Sequence, residues 1–207
     1  MTPNATPSWG TGMTIPEQFA ERRYALLPAL IEPALVAFFW TYAHTKFASR
    51  QMQTGADAAT ASVNAYSDAA LDTLLEFVRP QLETASGLRL YPTYAFLRIY
   101  LPGAVLDRHR DRPACEVSVT LNIGQDPATP WPIWIEGPNG PFSASLGPGD
   151  ALLYRGIECP HWREAFAGER VVQVFLHYVD ANGPYTAEKF DRRKSLMHPA
   201  VVQGAQG

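Results

Sequence analysis

Two patterns of hydrophobic spacing divide the chain near Gly87. Before it, apolar residues recur at helical intervals. Leu35, Phe38, Phe39 and Tyr42 stand at i, i+3, i+4 and i+7 behind Pro33, whose fixed φ suits a first helical turn. This predicts a helix over about 33–47. A second stripe, Leu71, Leu74, Leu75, Val78 and Leu82, predicts a helix over about 67–86. Ser67 is its candidate N-cap, Asp68 falls in its first turn and Gly87 ends it. Pro80 lies inside the stripe and predicts a kink or an early stop, because proline lacks the N–H and crowds the preceding turn. The polar, Ala- and Thr-rich stretch over 49–66 reads as a long loop, a candidate lid.

Beyond Gly87 the period shortens. The runs YAFLRIY, CEVSVTLNI, WPIWIEG, ALLYRG and RVVQVFLHYV are rich in aromatic and β-branched residues, with LPG, EGPNGP and GPGD among the breaks between them. At least five strands without helices between them predict an antiparallel barrel or sandwich, not a parallel sheet. The last run is apolar on both faces, with Val172, Val174 and Leu176 on one and Val171, Phe175 and Val179 on the other. One face must line the barrel and the other must lie under the N-terminal helices. Arg170 heads the first of these alternations, and the reading turns that face toward the barrel. The chain is thus expected to be mainly β, a single domain over 16–192 with a helical lead-in. A loose N-terminus over 1–15 and a solvated tail over 193–207 flank it.

Composition removes several functions. Of 207 residues, 46% are hydrophobic and 18% charged, which is a globular balance. Lysine and arginine number 17 against 20 acidic residues, so the basic excess of a phosphate-backbone binder is missing and no nucleic-acid partner is expected. No apolar run reaches the roughly eighteen residues of a membrane helix. The opening MTPNATPSWGTGMTIPEQ lacks the basic start and apolar core of a secretory signal. Two cysteines, Cys115 and Cys159, are too few for a disulfide framework, and a cytoplasmic setting is the default expectation.

Three polar residues stand out in the β-rich half. His109 and Asp111 form H-R-D, and His161 follows fifty residues later, beyond ALLYRG. Two imidazoles and a carboxylate are the ligand set of a facial triad on non-haem Fe(II), with three positions left open. In an extended segment i and i+2 share a face, so H-x-D can present both ligands to one ion. Alone, such a tripeptide is a frequent coincidence. Arg170, nine residues after His161, adds a planar fork suited to a carboxylate. Of the other histidines, His177 reads as a core residue, His44 as the polar side of a helix and His198 as tail. Cys159 reads as a buried thiol.

In this order the residues resemble the Fe(II)/2-oxoglutarate-dependent oxygenases, and within them the prolyl 4-hydroxylase-like branch. The resemblance runs from Tyr94 to Asp180. It rests on Y-L-P-G (Tyr100 to Gly103), H-R-D (His109 to Asp111), L-G-P-G-D (Leu146 to Asp150), P-H-W (Pro160 to Trp162) and G-E-R (Gly168 to Arg170). It implies a double-stranded β-helix, or jelly roll, with Fe(II) on His109, Asp111 and His161. It further implies 2-oxoglutarate held through its distal carboxylate by Arg170 with Tyr100 nearby, and O2 as the oxidant. The carboxylate ligand Asp111 favours hydroxylation over halogenation, with release of succinate and CO2. At Val172, where many relatives carry serine or threonine, the chain departs from the pattern.

Tyr94, Trp134 and Trp162, with Arg98 and Arg112, flank the proposed ligands and are candidate substrate contacts for a small molecule, amino acid or peptide. Two other functions stay open at this point: a cupin-like metalloenzyme that uses no 2-oxoglutarate, and a jelly-roll binding module without catalysis. The spacing of Arg170 argues against the first, and the complete ligand set against the second.

Overall fold

The computed structural model describes residues 12–54, 59–126 and 130–196. Eleven strands and three α-helices are present among them. A short helix α1 (Ile15–Arg22) and strand β1 (Tyr24–Leu27) precede α2 (Pro33–Ala48), then β2 (Gln53–Thr54), β3 (Ser62–Tyr66) and α3 (Ala69–Ser86). Eight strands follow: β4 (Leu90–Tyr100), β5 (Leu106–His109), β6 (Val117–Asp126), β7 (Ile133–Gly137), β8 (Gly140–Ala144), β9 (Ala151–Arg155), β10 (His161–Arg163) and β11 (Arg170–Asp180).

These eight make a jelly roll. One sheet has the order β1-β9-β6-β11-β4-β3-β2 and the other β5-β10-β7-β8, with every pairing antiparallel. From β4 onward the chain passes back and forth between the two sheets, and β1, β2 and β3 extend the larger one at its edges. The segment over 49–66 is therefore not simply a loop. Val63 pairs with Ile99 and Ala65 with Leu97, so β3 belongs to the sheet beside β4. Residues 55–58 lie outside the described part.

The main core lies between the helices and the larger sheet. Phe39 and Ala43 of α2 and Leu71, Leu74, Leu75, Val78 and Leu82 of α3 join Leu97, Ile99, Val119, Leu121, Val172, Val174 and Leu176 in one apolar layer. The sequence expectation for β11 is thus reversed. Val172, Val174 and Leu176 face the helices, and Val171, Gln173, Phe175 and His177 face the barrel. Helix α3 also differs at its ends. Asp68, not Ser67, caps it, with Oδ1 accepting from the N–H groups of Ala70 and Leu71, both at 3.1 Å. Pro80 does not stop the helix. It sits on the exposed side, where solvent can take the Glu76 carbonyl that a proline leaves without a donor.

The tail is not solvated throughout. Arg193 is buried and donates from Nη1 to Asp72 Oδ2 at 3.1 Å and from Nη2 to the Thr93 carbonyl at 3.1 Å. Residues 197–207, including His198, lie outside the described part, as do 1–11 of the expected loose N-terminus. Among the described residues, no helix is long and apolar enough to cross a membrane.

Candidate metal centre

The inner face of the larger sheet carries polar residues where the outer face is apolar. Along β4, alternate residues Tyr94, Phe96, Arg98 and Tyr100 enter a cleft of about 370 Å³ that is also lined by Leu106, Tyr154, Phe175 and His177. His109, Asp111 and His161 stand in the same cleft. Strand pairing brings them together: His161, the first residue of β10, is the register partner of His109, the last of β5.

Their ligand atoms lie within 4.8 Å of one another. His109 Nε2 is 3.7 Å and His161 Nε2 3.6 Å from Asp111 Oδ1. Each imidazole is oriented by its own strand. His109 Nδ1 is 2.7 Å from the Asp107 carbonyl and His161 Nδ1 is 3.0 Å from that of Cys159. A carbonyl only accepts, so each Nδ1 carries the proton and each Nε2 presents a lone pair. Two imidazole lone pairs and a carboxylate oxygen therefore converge with no proton between them, an arrangement that a cation completes. The donor set and its spacing fit Fe(II). Burial holds the His161 imidazole below its ordinary value against the opposing pull of Asp111, which favours the neutral form that binds a metal.

Asp111 is fixed from behind. Its N–H donates to the Gly156 carbonyl at 3.0 Å, and Ser118 Oγ lies 2.8 Å from its Oδ2. Ser118 Oγ is also 3.0 Å from His177 Nδ1. With one hydroxyl proton to give, the chain His177 Nδ1–H to Ser118 Oγ to Asp111 is internally consistent. Burial pushes His177 down to about 4, so its imidazole is neutral. Gly156 is required by close approach: a Cβ there would lie 2.3 Å from Asp111 Oδ2 and 2.4 Å from the Cys115 carbonyl.

The remaining expected residues divide. Tyr100 is fully buried in the cleft wall, packed edge-on against Trp131 at 4.8 Å. Tyr94 also lines the cleft, stacked on Tyr66 at 5.2 Å with its hydroxyl 3.1 Å from Cys115 Sγ. Arg98 lines it with the guanidinium 5.0 Å from the Phe96 ring centre and 5.5 Å from that of Tyr100. Arg112 reaches the rim, over the Tyr94 ring at 4.7 Å, and is ion-paired to Asp191 at 2.8 Å. Trp134 and Trp162 stack on each other at 5.9 Å, on strands whose neighbouring residues Ile133, Ile135, His161 and Arg163 are the buried ones. They therefore cover the outside of the smaller sheet. The structure does not bring Arg170 into the cleft. It shares the helix-side face of β11 with Val172, and its guanidinium lies 5.5 Å from the Phe47 ring of α2.

Sequence reasoning missed Ser118, Tyr154, Phe175 and Arg163, and ranked His177 as mere core. The available signal was the row of polar residues Ser118, Thr120, Asn122, Gln173 and His177 at alternate positions in otherwise apolar strands. Arg163 shares the inward face of β10 with His161 and is 2% exposed. Burial pulls it down to about 10, so it remains charged at neutral pH. Both cysteine thiols are pushed up by burial, Cys159 to about 11, and neither is activated.

Solved structures place this architecture. A prolyl-4-hydroxylase from Pseudomonas putida superposes with a TM-score of 0.67 at 17% identity, covering 81% of this chain and 98% of that one. The chain has the fold of the 2-oxoglutarate/Fe(II) oxygenases. A Trichoplax adhaerens prolyl hydroxylase, solved with a hypoxia-inducible-factor peptide fragment, matches at 0.67 and 13% identity over 81% of this chain and 88% of that one. HygX from Streptomyces hygroscopicus, solved with nickel and 2-oxoglutarate, matches at 0.55 and 11% identity over 79% and 85%. No protein-family model and no curated protein matches the sequence.

Proposed function

We propose that this protein is an Fe(II)- and 2-oxoglutarate-dependent oxygenase of the hydroxylase type. His109 Nε2, an Asp111 carboxylate oxygen and His161 Nε2 would hold the iron. The convergence of those three acceptor atoms, each imidazole fixed through its Nδ1, carries the reading. Bound iron with 2-oxoglutarate supplies O2 activation and the oxidation of a substrate C–H bond, with succinate and CO2 as coproducts.

The chain's own residues do the rest. Ser118 and Gly156 hold Asp111 in one orientation, which keeps the ligand geometry fixed as the remaining positions fill. Phe96, Tyr100, Tyr154 and Phe175 wall the cleft with rings and limit its water. The cleft volume suits a small molecule, or one side chain of a peptide such as that bound by the Trichoplax enzyme. Tyr94 and Arg112 form the rim that such a substrate meets, and Arg112 meets it already paired with Asp191.

The place of Arg170 outside the cleft removes one argument against a metalloenzyme that uses no 2-oxoglutarate. Two other guanidiniums, Arg98 and Arg163, face the barrel and restore it. The test is succinate release in air from Fe(II)-loaded protein supplied with 2-oxoglutarate and a panel of amino acids, peptides and small molecules. Succinate that depends on Fe(II) and is abolished in His161→Ala supports the reading. Oxidation of a panel member without any consumption of 2-oxoglutarate would transfer the protein to the cupin-like class.

A further inference from the structure

Arg163 presents an unusual charge balance. Its guanidinium is inside the barrel at 2% exposure, with Nη1 donating to the Trp131 carbonyl and Nη2 to Gln173 Oε1 at 3.3 Å. Both acceptors are neutral. Its Nε–H has no hydrogen-bond partner, and no carboxylate is paired with it among the described residues. Burying an ion is costly unless an opposite charge answers it, so a guanidinium kept this way lacks its natural partner. Gln173 is in turn held in place. Its Oε1 accepts from Thr120 Oγ1 at 3.2 Å and its Nε2 donates to Asn122 Oδ1 at 3.0 Å. A positive charge is therefore fixed in orientation by a polar row, not buried by accident of packing.

The position relative to the metal ligands is equally specific. Arg163 follows His161 by two residues on β10, so both side chains enter the barrel from one strand, and the backbone advances roughly 6.6 Å between them. Arg163 is the register partner of Leu106, a cleft residue. Its guanidinium lies 4.7 Å from the ring centre of Trp131, which packs against the cleft residue Tyr100. The charge thus stands behind the part of the cleft wall that Tyr100 and Leu106 form.

Resting on the oxygenase reading, we infer that Arg163, and not Arg170 at the start of β11, anchors the distal carboxylate of 2-oxoglutarate, with Gln173 as its positioning residue. The oxo-acid end faces the metal ligands, and the distal carboxylate supplies the counter-ion that the protein withholds.

The test is anaerobic calorimetry of Fe(II)-loaded protein with 2-oxoglutarate and with 2-oxopentanoate, which has the same five carbons without the distal carboxylate. The wild type is expected to prefer 2-oxoglutarate by at least thirtyfold. Arg163→Gln is expected to erase that preference, with affinity for 2-oxopentanoate changed less than threefold. Arg98→Gln and Arg170→Gln are expected to keep it. Should Arg163→Gln fail to fold, Gln173→Glu decides, because it sets a carboxylate beside the same guanidinium and is expected to erase the preference as well. A preference that survives in Arg163→Gln or Gln173→Glu, or that vanishes in Arg98→Gln or Arg170→Gln, overturns the assignment. Wild-type protein that binds Fe(II) and neither oxo acid overturns the oxygenase reading beneath it, a result distinct from any change confined to one variant.

Discussion

At the scale of single residues, the site depends on neighbours that carry no metal-binding chemistry of their own. Gly156 is the sharpest case, because the Asp111 carboxylate and the Cys115 carbonyl already occupy the space a methyl group would need. Gly156→Ala is predicted to lower Fe(II) affinity by roughly 10- to 100-fold, the range typical for losing support behind a ligand. Metal titration of the folded variant checks this, and an unchanged affinity would mean that Asp111 is not a ligand. His177 makes a prediction in pH. Its folded value of about 4 lies below the ordinary 6.5, so between those values the unfolded chain binds a proton that the folded chain refuses. Stability must therefore rise with pH across that window, and the group costs about 3 kcal/mol at the acid end. Denaturant unfolding of wild type and His177→Gln should show two curves that converge toward pH 7 and separate as pH falls. Parallel curves would contradict the buried neutral imidazole.

At the scale of elements, the sequence disclosed α2, α3 and five of the eleven strands through spacing, and lost the short helix α1 and the strands that depend on pairing. The stripe from Leu71 to Leu82 produced α3 almost to its ends, yet the choice between Ser67 and Asp68 as cap turned on side-chain geometry that spacing does not contain. Strands β2 and β3 were illegible because the edge strand β2 has only two residues and β3, between it and β4, pairs with a partner some thirty residues away. The two faces of β11 were both apolar enough to be buried, and the arginine at its head drew the wrong one toward the barrel. Gln173 and His177 were the better guide, since a polar side chain between apolar layers has to find partners and a site provides them. The H-x-D and distal histidine were readable because ligand chemistry restricts residue types, and the register of His109 with His161 brings them together. Asp68 also joins two helices, since it accepts from Lys46 Nζ at 2.8 Å and from the Tyr42 hydroxyl. Asp68→Ala is predicted to cost about 1–2 kcal/mol of stability, measured by urea unfolding, while leaving metal affinity unchanged.

At the scale of the whole molecule, the helices and the C-terminal segment brace the back of the sheet that carries the site. Arg193 and Asp72 form a pair at 3% and 0% side-chain exposure, linking that segment to α3. Removing one partner strands a buried charge, so Arg193→Ala is predicted to destabilise the protein by about 3–5 kcal/mol; a loss below 1 kcal/mol in denaturant unfolding would show that the segment is not docked in solution. Iron binding by the proposed enzyme requires His109, Asp111 and His161 to act together in one cleft. The most direct test is a visible-absorbance titration without oxygen, in which Fe(II) and then 2-oxoglutarate are added to wild type, Asp111→Ala and His161→Ala. A metal-to-ligand charge-transfer band that needs both additions is expected in the wild type and is expected to be lost in each variant. Iron that binds equally well to all three proteins, with no band on adding 2-oxoglutarate, would contradict that requirement.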